Sequence, residues 1–267
     1  MVAIIAGTGN IPLHACKYFV SKQIPFFVIS LFPENNIEKI KNFLPSGVEV
    51  IGKPFFKVSS ILEILKEKKT EKVLFIGKVD KQNLLKKIKL DFLAIKLLSS
   101  LATKNDQDIL DRLAIELEKH GMKVVKQDEV LSNLFVKPGI LCGDVTTELR
   151  EDIDFGLNVA RNLSKCSIGQ TVVVKNKMVL AVEAIEGTSE CIKRGIFLGK
   201  GDVVVCKTAR FDHDTKFDIP TLGPDSLNEL KSRDVKAIAW DSSMTFVVDE
   251  KEFKNKASAL NISLLSV

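Results

Sequence analysis

Acidic side chains that could bind a cation are concentrated in "ARFDHDTKFDIPTLGP", residues 209–224. This stretch places Asp212, Asp214 and Asp218 within seven residues, and two prolines and a glycine follow them. The three carboxylates are ionised at neutral pH and repel one another unless a cation lies between them. Mg²⁺ in proteins takes one or two carboxylates together with substrate phosphates, and an aspartate can also orient or deprotonate an attacking water. The stretch therefore predicts a hydrolytic site, and the alternative is an acidic surface loop.

A second acidic motif, "AVEAIEGTSECIKRG", spans residues 181–195. It places Glu183 and Glu186 at the end of a predicted strand, and Gly187 and Thr188 then lead into a predicted helix. Acids at the end of a strand, beside a glycine turn, are typical of ligand or metal sites in α/β folds. In the alternative reading, Glu183 is solvated and Thr188 only caps the helix.

The N-terminal motif "IIAGTGNIP" places Gly7 and Gly9 between a predicted strand and a predicted helix. Glycines let backbone N–H groups approach a phosphate, and the helix N-terminus adds partial positive charge. The dinucleotide fingerprint requires a third glycine where Pro12 stands and an acid at the end of the second strand, where only Glu34 lies nearby. The motif therefore favours a nucleotide or diphosphate cradle over a nicotinamide site, and the alternative is an ordinary tight turn.

The first half of the chain alternates strand-like and helix-like segments. The predicted strands are residues 2–6, 25–32, 48–52, 72–79 and 123–127, and the predicted helices are residues 11–22, 59–69, 83–100 and 106–120. Asn10 is placed to cap the first of these helices. Such alternation predicts an N-terminal Rossmann-like domain, whose parallel sheet is covered on both faces.

The pattern changes near "VKPGILCGD", residues 136–144, where a proline and two glycines lie close together. We therefore divide the chain into domains 1–137 and 138–267. The second domain is predicted to contain a helix at 146–165, a hairpin at 170–185 that turns at Asn176 and Lys177, and strands at 202–207, 236–240 and 245–249. These elements predict a C-terminal α/β domain with a mixed sheet.

Composition excludes several classes of protein. The chain has 267 residues, of which 45% are hydrophobic and 27% charged, as in a globular protein. The net charge of +5 suits an anionic ligand but is too small and too evenly spread to indicate nucleic-acid binding. The five cysteines are scattered, which argues against a short-spaced zinc site. We expect neither a signal peptide nor a membrane span, which needs about 18 consecutive apolar residues.

Taken in order, these motifs resemble the LpxI-type UDP-2,3-diacylglucosamine pyrophosphatases of lipid A synthesis. The resemblance runs almost end to end and is carried by "IAGTGNIP", "FIGKV", "NDQDIL", "IGQTVVVK", "VLAVEAIEGT" and "DTKFDIPTLGP". Two departures stand out. Gln107 replaces a second aspartate that is frequent in the family, and Ser189 replaces an aspartate that is common after "EGT". A metal-binding role at these two positions is therefore not expected.

The resemblance implies a two-domain enzyme whose C-terminal domain is catalytic. It would hydrolyse the diphosphate of a UDP-linked, doubly acylated glucosamine to UMP and the acylated sugar 1-phosphate, with Mg²⁺ as the cofactor. The expected location is the cytoplasm or the inner face of the inner membrane, with peripheral membrane contact. The expected partner is the lipid-linked nucleotide sugar, lying between the domains. No nucleic acid is expected, and a homodimer is compatible with the resemblance.

The resemblance also assigns roles to particular residues. The essential aspartate maps onto Asp218, with Asp214 as the close second, and both would be catalytic and hold the metal. By its residue type rather than by the resemblance, Lys207 would offset the charge that develops on phosphate, and Glu183 and Glu186 would bind the sugar or support the residues that do. The candidate substrate-binding residues are Gly7, Gly9, Asn10, Gly77, Lys78, Gln170, Glu183, Glu186, Gly187, Thr188, Lys207 and Thr221.

Two other functions remain open from the sequence. An NAD-linked oxidoreductase would have to bind nicotinamide. A nucleotide-sugar binding protein without chemistry shares the glycine motif but gives no reason for the aspartate cluster. The lysine-rich segment 81–96 also has two interpretations. It could contact an anionic membrane or an acyl chain, or it could be a core helix whose lysines lie on a solvent-exposed face.

The assignment of Asp218 leads to a direct prediction. Asp218→Ala should keep the fold and lose hydrolysis, because the reaction needs that carboxylate and the core does not. Circular dichroism would report the fold, and release of UMP from the acylated nucleotide sugar would report the reaction. Full turnover by this variant would remove Asp218 from the site.

Overall fold

The structure, a computed structural model, describes residues 1–78, 91–99, 106–166, 168–209, 215–217 and 219–267. For residues 33–36, 98 and 106–108 it describes the backbone alone. The chain forms two compact units. Unit 1 comprises Met1–Ser132 together with residues 215–217, and unit 2 comprises the other described residues from Asn133 onward. Unit 1 therefore includes a short piece from the C-terminal half of the sequence.

Unit 1 contains a parallel sheet of five strands in the order β3-β2-β1-β4-β5. The strands are β1 (Val2–Ala6), β2 (Phe26–Ser30), β3 (Val50–Gly52), β4 (Lys72–Ile76) and β5 (Lys123–Val124). The helices are α1 (Ile11–Ser21), α2 (Pro33–Phe43), α3 (Val58–Glu67), α4 (Phe92–Ser99), α5 (Asp106–Glu118) and α6 (Gln127–Leu131). This strand order is that of dinucleotide-binding folds and confirms the predicted Rossmann-like sheet.

Side-chain alternation explains why this sheet is covered on both faces. Successive side chains of β1 point to opposite faces of the sheet, and every residue of β1 is buried. Both faces must therefore be covered. Ala3 and Ile5 join one core cluster, which also contains Leu62 and Leu65 of α3. Ile4 points to the other face, where α1 contacts β1 and β4. A strand buried on both sides reads as a continuous apolar run, as "VAIIA" does.

Some predicted bounds in unit 1 are wrong. The segment 123–127 is not one strand, because β5 ends at Val124 and α6 begins at Gln127. The strand at 72–79 ends at Ile76, since Gly77 has φ +98° and turns the chain. Asn10 precedes α1 but makes no side-chain cap hydrogen bond. Helix α2 has no counterpart in the prediction, and residues 83–90 of the predicted helix 83–100 lie outside the described residues.

Unit 2 contains a mixed sheet of six strands in the order β6-β13-β11-β9-β7-β8 and a separate parallel pair, β10 with β12. The strands are β6 (Gly139–Cys142), β7 (Thr171–Lys175), β8 (Met178–Val182), β9 (Val203–Lys207), β10 (Thr221–Leu222), β11 (Val235–Trp240), β12 (Phe246–Val247) and β13 (Ser263–Ser266). The helices are α7 (Thr147–Lys165), α8 (Thr188–Gly199) and α9 (Glu250–Ala259). Strands β9, β11 and β13 are parallel, whereas β7 is antiparallel to both β8 and β9. The predicted mixed sheet is confirmed.

The six-stranded sheet lies between two helical layers. Val203 and Val205 of β9 belong to the core cluster that includes residues of α8 and α9. Val204 and Cys206 belong to the cluster on the opposite face, beneath α7. Lys207 follows this alternation and points to the face that α8 covers. The strand parity thus sets the direction of the charged side chain that ends β9.

The hairpin prediction in unit 2 is confirmed, and the strand prediction at 245–249 is only partly right. Asn176 and Lys177 both have positive φ, as a tight hairpin turn requires, and their N–H groups donate to Asp152 at 2.9 and 2.6 Å. The segment 245–249 contributes two residues to the small sheet, Phe246 and Val247. Strands β6 and β13 and helix α9 were not predicted. Among the described residues, no helix is both long and apolar enough to cross a membrane.

Candidate functional site

Polar side chains gather at one edge of the unit 2 sheet, where β8 and β9 end and β7 begins. Lys207 is the last residue of β9 and is paired directly with Thr171, the first residue of β7. Glu183 follows the last residue of β8. Because β8 and β9 run in the same direction, their carboxyl ends meet at this edge, and helix α8 begins there at Thr188. Ligand sites of α/β proteins lie at such edges.

A buried lysine is the centre of this cluster. Lys207 is 7% exposed, and its Nζ donates to Oγ1 of Thr171 at 3.2 Å and to Oγ1 of Thr188 at 3.1 Å. The Thr188 hydroxyl in turn donates to Oε1 of Glu183 at 2.8 Å. One hydroxyl group therefore links the ammonium group to the carboxylate, because it accepts from the first and donates to the second.

These contacts correct two readings of the acidic motif. Thr188 does not cap α8, because it is the first helical residue and Gly187, with φ +82°, precedes the helix. Its hydroxyl is used by Glu183 and Lys207. Glu183 is half-buried and hydrogen-bonded, so it is not a freely solvated side chain. The ligand site expected at this strand end stays a prediction, and the alternative in which Thr188 only caps the helix is wrong.

The surroundings of Glu183 keep its carboxyl group ionised. Burial alone would raise the pKa of Glu183, because it disfavours the charged form. The Lys207 ammonium and the hydroxyls of Thr171 and Thr188 favour the charged form, and together they outweigh the effect of burial. The pKa of Glu183 therefore lies below its usual value. The other carboxylate oxygen, Oε2, is buried and has no hydrogen bond of normal geometry to a described residue.

The remaining residues of the acidic motif fix the loop between β8 and α8. Oε1 of Glu186 accepts from Nη2 of Arg194 at 2.9 Å, and Oε2 accepts from the backbone N–H of Ala184 at 3.1 Å. Arg194 also donates to the backbone carbonyl of Val182 at 2.7 Å. At Gly187 a Cβ would meet no atom within 4 Å, so its backbone is open on that side. Glu186 therefore ties the loop to Arg194 of α8.

A second polar cluster lies beside Lys207 and was missed from the sequence. Asp241 follows β11, and its carboxylate accepts from the Thr208 hydroxyl and from the Arg161 guanidinium. Its side chain is 14% exposed, and its backbone N–H donates to the carbonyl of Lys207 at 3.3 Å. An acid directly after a buried strand is the signal that could have identified it.

The two other predicted residues of unit 2 have different surroundings. The carbonyl of Gln170 accepts from the N–H of Thr208 at 2.9 Å, so Gln170 lies next to the Lys207 cluster. Thr221 starts β10, where its hydroxyl donates to the carbonyl of Ile219 at 3.3 Å. Among the described residues of unit 2, no side-chain hydrogen bond joins Thr221 to the Lys207 cluster.

In unit 1 the two predicted glycine turns contact each other. Thr8 and Lys78 form an antiparallel bridge, with N–H to carbonyl distances of 2.8 and 3.0 Å. A Cβ on Gly7 would lie 2.6 Å from the carbonyl oxygen of Lys78, and a Cβ on Gly77 would lie 2.9 Å from the carbonyl carbon of Gly7. Only glycine permits this approach, and Gly77 also has a positive φ. The turns after β1 and β4 thus form one joined surface.

The bonds of this surface limit which N–H groups could hold an anion. The N–H of Gly7 donates to the carbonyl of Ile76 at 2.8 Å, so Gly7 contributes close packing there. Gly9 is exposed, has φ +95°, and its N–H has no hydrogen-bond partner among the described residues. Asn10 accepts a hydrogen bond from the Lys39 ammonium through Oδ1. Gly9 is therefore the better donor candidate of the two glycines.

The aspartates expected to be catalytic, Asp214 and Asp218, lie outside the described residues. Residues 215–217 between them are described and belong to unit 1. Among the described residues, no group of three or more His, Cys, Asp or Glu side chains is arranged to hold a metal ion.

Comparison with known proteins gives matches over both units. A family model described as the LpxI N-terminal domain matches residues 1–134, and one described as the LpxI C-terminal domain matches residues 137–265. A protein of Caulobacter vibrioides (strain ATCC 19089 / CIP 103742 / CB 15) named UDP-2,3-diacylglucosamine pyrophosphatase LpxI is 28% identical over 281 residues. The alignment covers 100% of this chain and 97% of that protein.

The lowered pKa of Glu183 predicts how stability changes in acid. The ionised carboxylate stabilises the fold at pH values above its ordinary pKa of 4.5, and this contribution is lost as pH falls through the lower pKa of the folded state. We expect Glu183→Gln to lower the free energy of unfolding at neutral pH by about 1–3 kcal/mol, and the difference from wild type to shrink in acid. Urea unfolding over a pH series measures both.

Comparing Glu183→Gln in the wild-type and Lys207→Met backgrounds tests whether Lys207 is the charge partner of Glu183. If Lys207 is the compensating cation, the effect of Glu183→Gln at neutral pH should be smaller in a Lys207→Met background. A difference between wild type and Glu183→Gln that stays constant from neutral pH into acid would contradict the assigned charge interaction.

Proposed function

This chain belongs to the LpxI family, and we propose that it hydrolyses the diphosphate of UDP-2,3-diacylglucosamine to UMP and 2,3-diacylglucosamine 1-phosphate. The observation that carries this proposal is the match, over the whole of this chain, to a relative named for that activity. The alternatives, an NAD-linked oxidoreductase and a nucleotide-sugar binding protein without chemistry, are not favoured by these matches. The reaction is central to lipid A synthesis in the family that the sequence resembles.

Hydrolysis of a diphosphate requires charge neutralisation and an aligned water more than covalent chemistry. An ammonium group has three N–H donors, and Lys207 uses two of them for the hydroxyls of Thr171 and Thr188. We propose that the third donates to a phosphate oxygen of the substrate. A buried cation is effective in this role because the field it exerts is weakly screened by water.

Glu183 and Thr188 would then act on Lys207 rather than on the substrate. The Glu183 carboxylate, through the Thr188 hydroxyl, fixes the direction of the Lys207 ammonium group. In unit 1, the exposed N–H of Gly9 is a donor that an anionic group of a nucleotide can use. Asn10 lies at the start of the same helix and is a second candidate contact.

The chemistry of Asp214 and Asp218 fits a magnesium ion, because carboxylate oxygens are the ligands that Mg²⁺ takes in proteins. A bound Mg²⁺ would neutralise charge on the diphosphate. We propose that these two aspartates hold it and that Asp218 also orients the attacking water. This part of the proposal is supported by the family resemblance and by the residue types.

Helix α4 suggests how a substrate with two acyl chains could be reached. Phe92 and Ile95, one turn apart, are 81% and 52% exposed, whereas Ala94 is buried at 5%. Asp91 fixes the start of the helix, since its carboxylate accepts from the N–H groups of Ala94 at 2.9 Å and Ser59 at 2.7 Å. With Lys96 in the last turn, we propose that this face contacts an anionic bilayer.

Release of UMP tests the proposed reaction. We expect wild-type protein with Mg²⁺ to release UMP from UDP-2,3-diacylglucosamine, and a chelator to abolish release until Mg²⁺ is restored. Lys207→Met should lower kcat by about 100-fold, the scale of losing one donor to developing charge. Lys175→Met is the matched control, because Lys175 lies in the same sheet and donates to the carbonyls of Gly199 and Gly201 at 2.9 and 2.8 Å.

Three outcomes would count against parts of this proposal. No UMP release by wild type would refute the reaction. Undiminished release in the presence of chelator would refute the Mg²⁺ requirement. Equal kcat for Lys207→Met and Lys175→Met would remove Lys207 from the site.

Vesicle sedimentation tests the membrane contact of α4. Phe92→Ser should reduce several-fold the fraction of protein bound to vesicles that contain phosphatidylglycerol, because it removes apolar surface that enters the bilayer boundary. Phe197→Ser is the matched control, since Phe197 is 82% exposed but lies on α8. Equal binding by the two variants would contradict a specific role for α4.

A further inference from the structure

Phe217 is anchored in the core of unit 1, although it is distant in sequence from the rest of that unit. It is 2% exposed and belongs to the core cluster that contains Phe27 and Leu65. Its ring centroid lies 5.4 Å from that of Phe75 in β4, with an interplanar angle of 56°. Tilted pairs at this distance are a favourable arrangement for aromatic rings. The side chain therefore holds residues 215–217 to the sheet of unit 1.

Gln127 provides a second attachment for the same three residues. Its backbone N–H donates to the carbonyl of Thr215 at 2.7 Å, and its Nε2 donates to the carbonyl of Phe75 at 2.8 Å. Gln127 is only 4% exposed, so losing either bond would leave a buried polar group unsatisfied. The glutamine thus connects Thr215 with the strand on which Phe217 packs.

The strand that carries these contacts leads directly to the glycine surface of unit 1. Phe75 is followed by Ile76, the end of β4, and then by Gly77 and Lys78, which contact the turn after β1. Within unit 1, the anchored segment and the glycine turns are therefore fixed by one strand.

The anchored segment matters because of its neighbours in the sequence. Asp214 directly precedes Thr215, and Asp218 directly follows Phe217. Consecutive Cα atoms are about 3.8 Å apart, so a fixed residue restricts the position of the residue next to it. Hydrolysis depends on such placement, since a displacement of about 1 Å can cost about 100-fold in rate.

We infer that Phe217 is a positioning residue for the proposed hydrolysis: its anchorage against Phe75, supported by the Gln127 bond to Thr215, fixes residues 215–217, the segment that joins the two proposed catalytic aspartates in the sequence. This inference rests on the proposed function. It assigns no contact with substrate to Phe217. It predicts that a substitution that weakens the anchor lowers kcat more than a substitution elsewhere in the same core that lowers Tm equally.

A pair of identical substitutions in one core provides the test. Phe217 and Phe27 are both 2% exposed and lie in the same cluster, so Phe217→Leu and Phe27→Leu should lower Tm similarly. We expect Phe217→Leu to lower kcat by about 10- to 100-fold, whereas Phe27→Leu keeps kcat within about twofold of wild type. KM should change little in either variant, because neither side chain is proposed to bind substrate.

Limited proteolysis gives a readout that does not depend on activity. Trypsin cleaves after Lys216, which lies inside the anchored segment. We expect faster cleavage there in Phe217→Leu than in Phe27→Leu, because only the first variant loosens residues 215–217. Equal cleavage rates in the two variants would contradict the anchor.

Two substitutions at Gln127 separate its bonds. Gln127→Ala removes the side-chain hydrogen bond to the carbonyl of Phe75. Gln127→Pro removes that bond and also the backbone N–H that donates to the carbonyl of Thr215. Proline is acceptable there, because Gln127 is the first residue of α6 and Lys126 before it is extended, with φ −72° and ψ 140°. Gln127→Pro should have a kcat about tenfold below that of Gln127→Ala, and equal kcat values would argue against the backbone bond.

The outcomes distinguish this inference from the proposed function. Inactive wild-type protein would overturn the reaction and this inference with it. Active wild type with equal kcat for Phe217→Leu and Phe27→Leu would overturn only the positioning role of Phe217.

Discussion

Unit 2 depends on the compensation of two opposite charges that are held largely out of water. Lys207 and Glu183 share the hydroxyl of Thr188, and the Lys207 ammonium offsets the cost of burying the Glu183 carboxylate. Strand pairing brings them to one edge, because Thr171 lies opposite Lys207 and β8 ends beside β7. A sheet of this order therefore serves electrostatics as well as packing, since it places the Lys207 ammonium group beside the carboxylate that compensates its charge.

Unit 1 depends on a different constraint, which is the absence of side-chain atoms. Gly7 and Gly77 allow the turns after β1 and β4 to contact each other, and a Cβ on either would overlap backbone atoms. The antiparallel backbone bridge between Thr8 and Lys78 holds the two turns together. Backbone geometry in unit 1 and side-chain charge in unit 2 are thus two separate means of building a polar surface at strand ends.

Much of this fold was predictable because burial leaves a clear pattern in the sequence. Continuous apolar runs such as "VAIIA" identify strands buried on both faces, and Asn176 with Lys177 identifies the hairpin. Helix α9 was missed because its sequence, "EKEFKNKASA", is mostly polar and buries only Phe253 and Ala257. Segment 123–127 was misread as one strand because its valines are buried in both β5 and the residues that follow.

The candidate site was predictable where chemistry follows a strand, and not where it depends on long-range contacts. The acids and threonine after β8 could be recognised from spacing alone. The partner of Thr188 could not, because Lys207 is 19 residues away and is brought close by β7. Likewise, nothing in the spacing of "TKFD" indicates that Phe217 packs on Phe75. Asp241 stands after an apolar strand and could have been found by the same rule as Glu183.

The membership of residues 215–217 in unit 1 has a consequence for biosynthesis. Domains of a nascent chain generally form as they emerge from the ribosome, the N-terminal one first. Here the first unit cannot complete its core when residue 132 has emerged, because one of its aromatic rings is still to be translated. Its final closure must wait until most of the second unit's sequence has left the ribosome, and the two halves are therefore coupled in the order in which they mature.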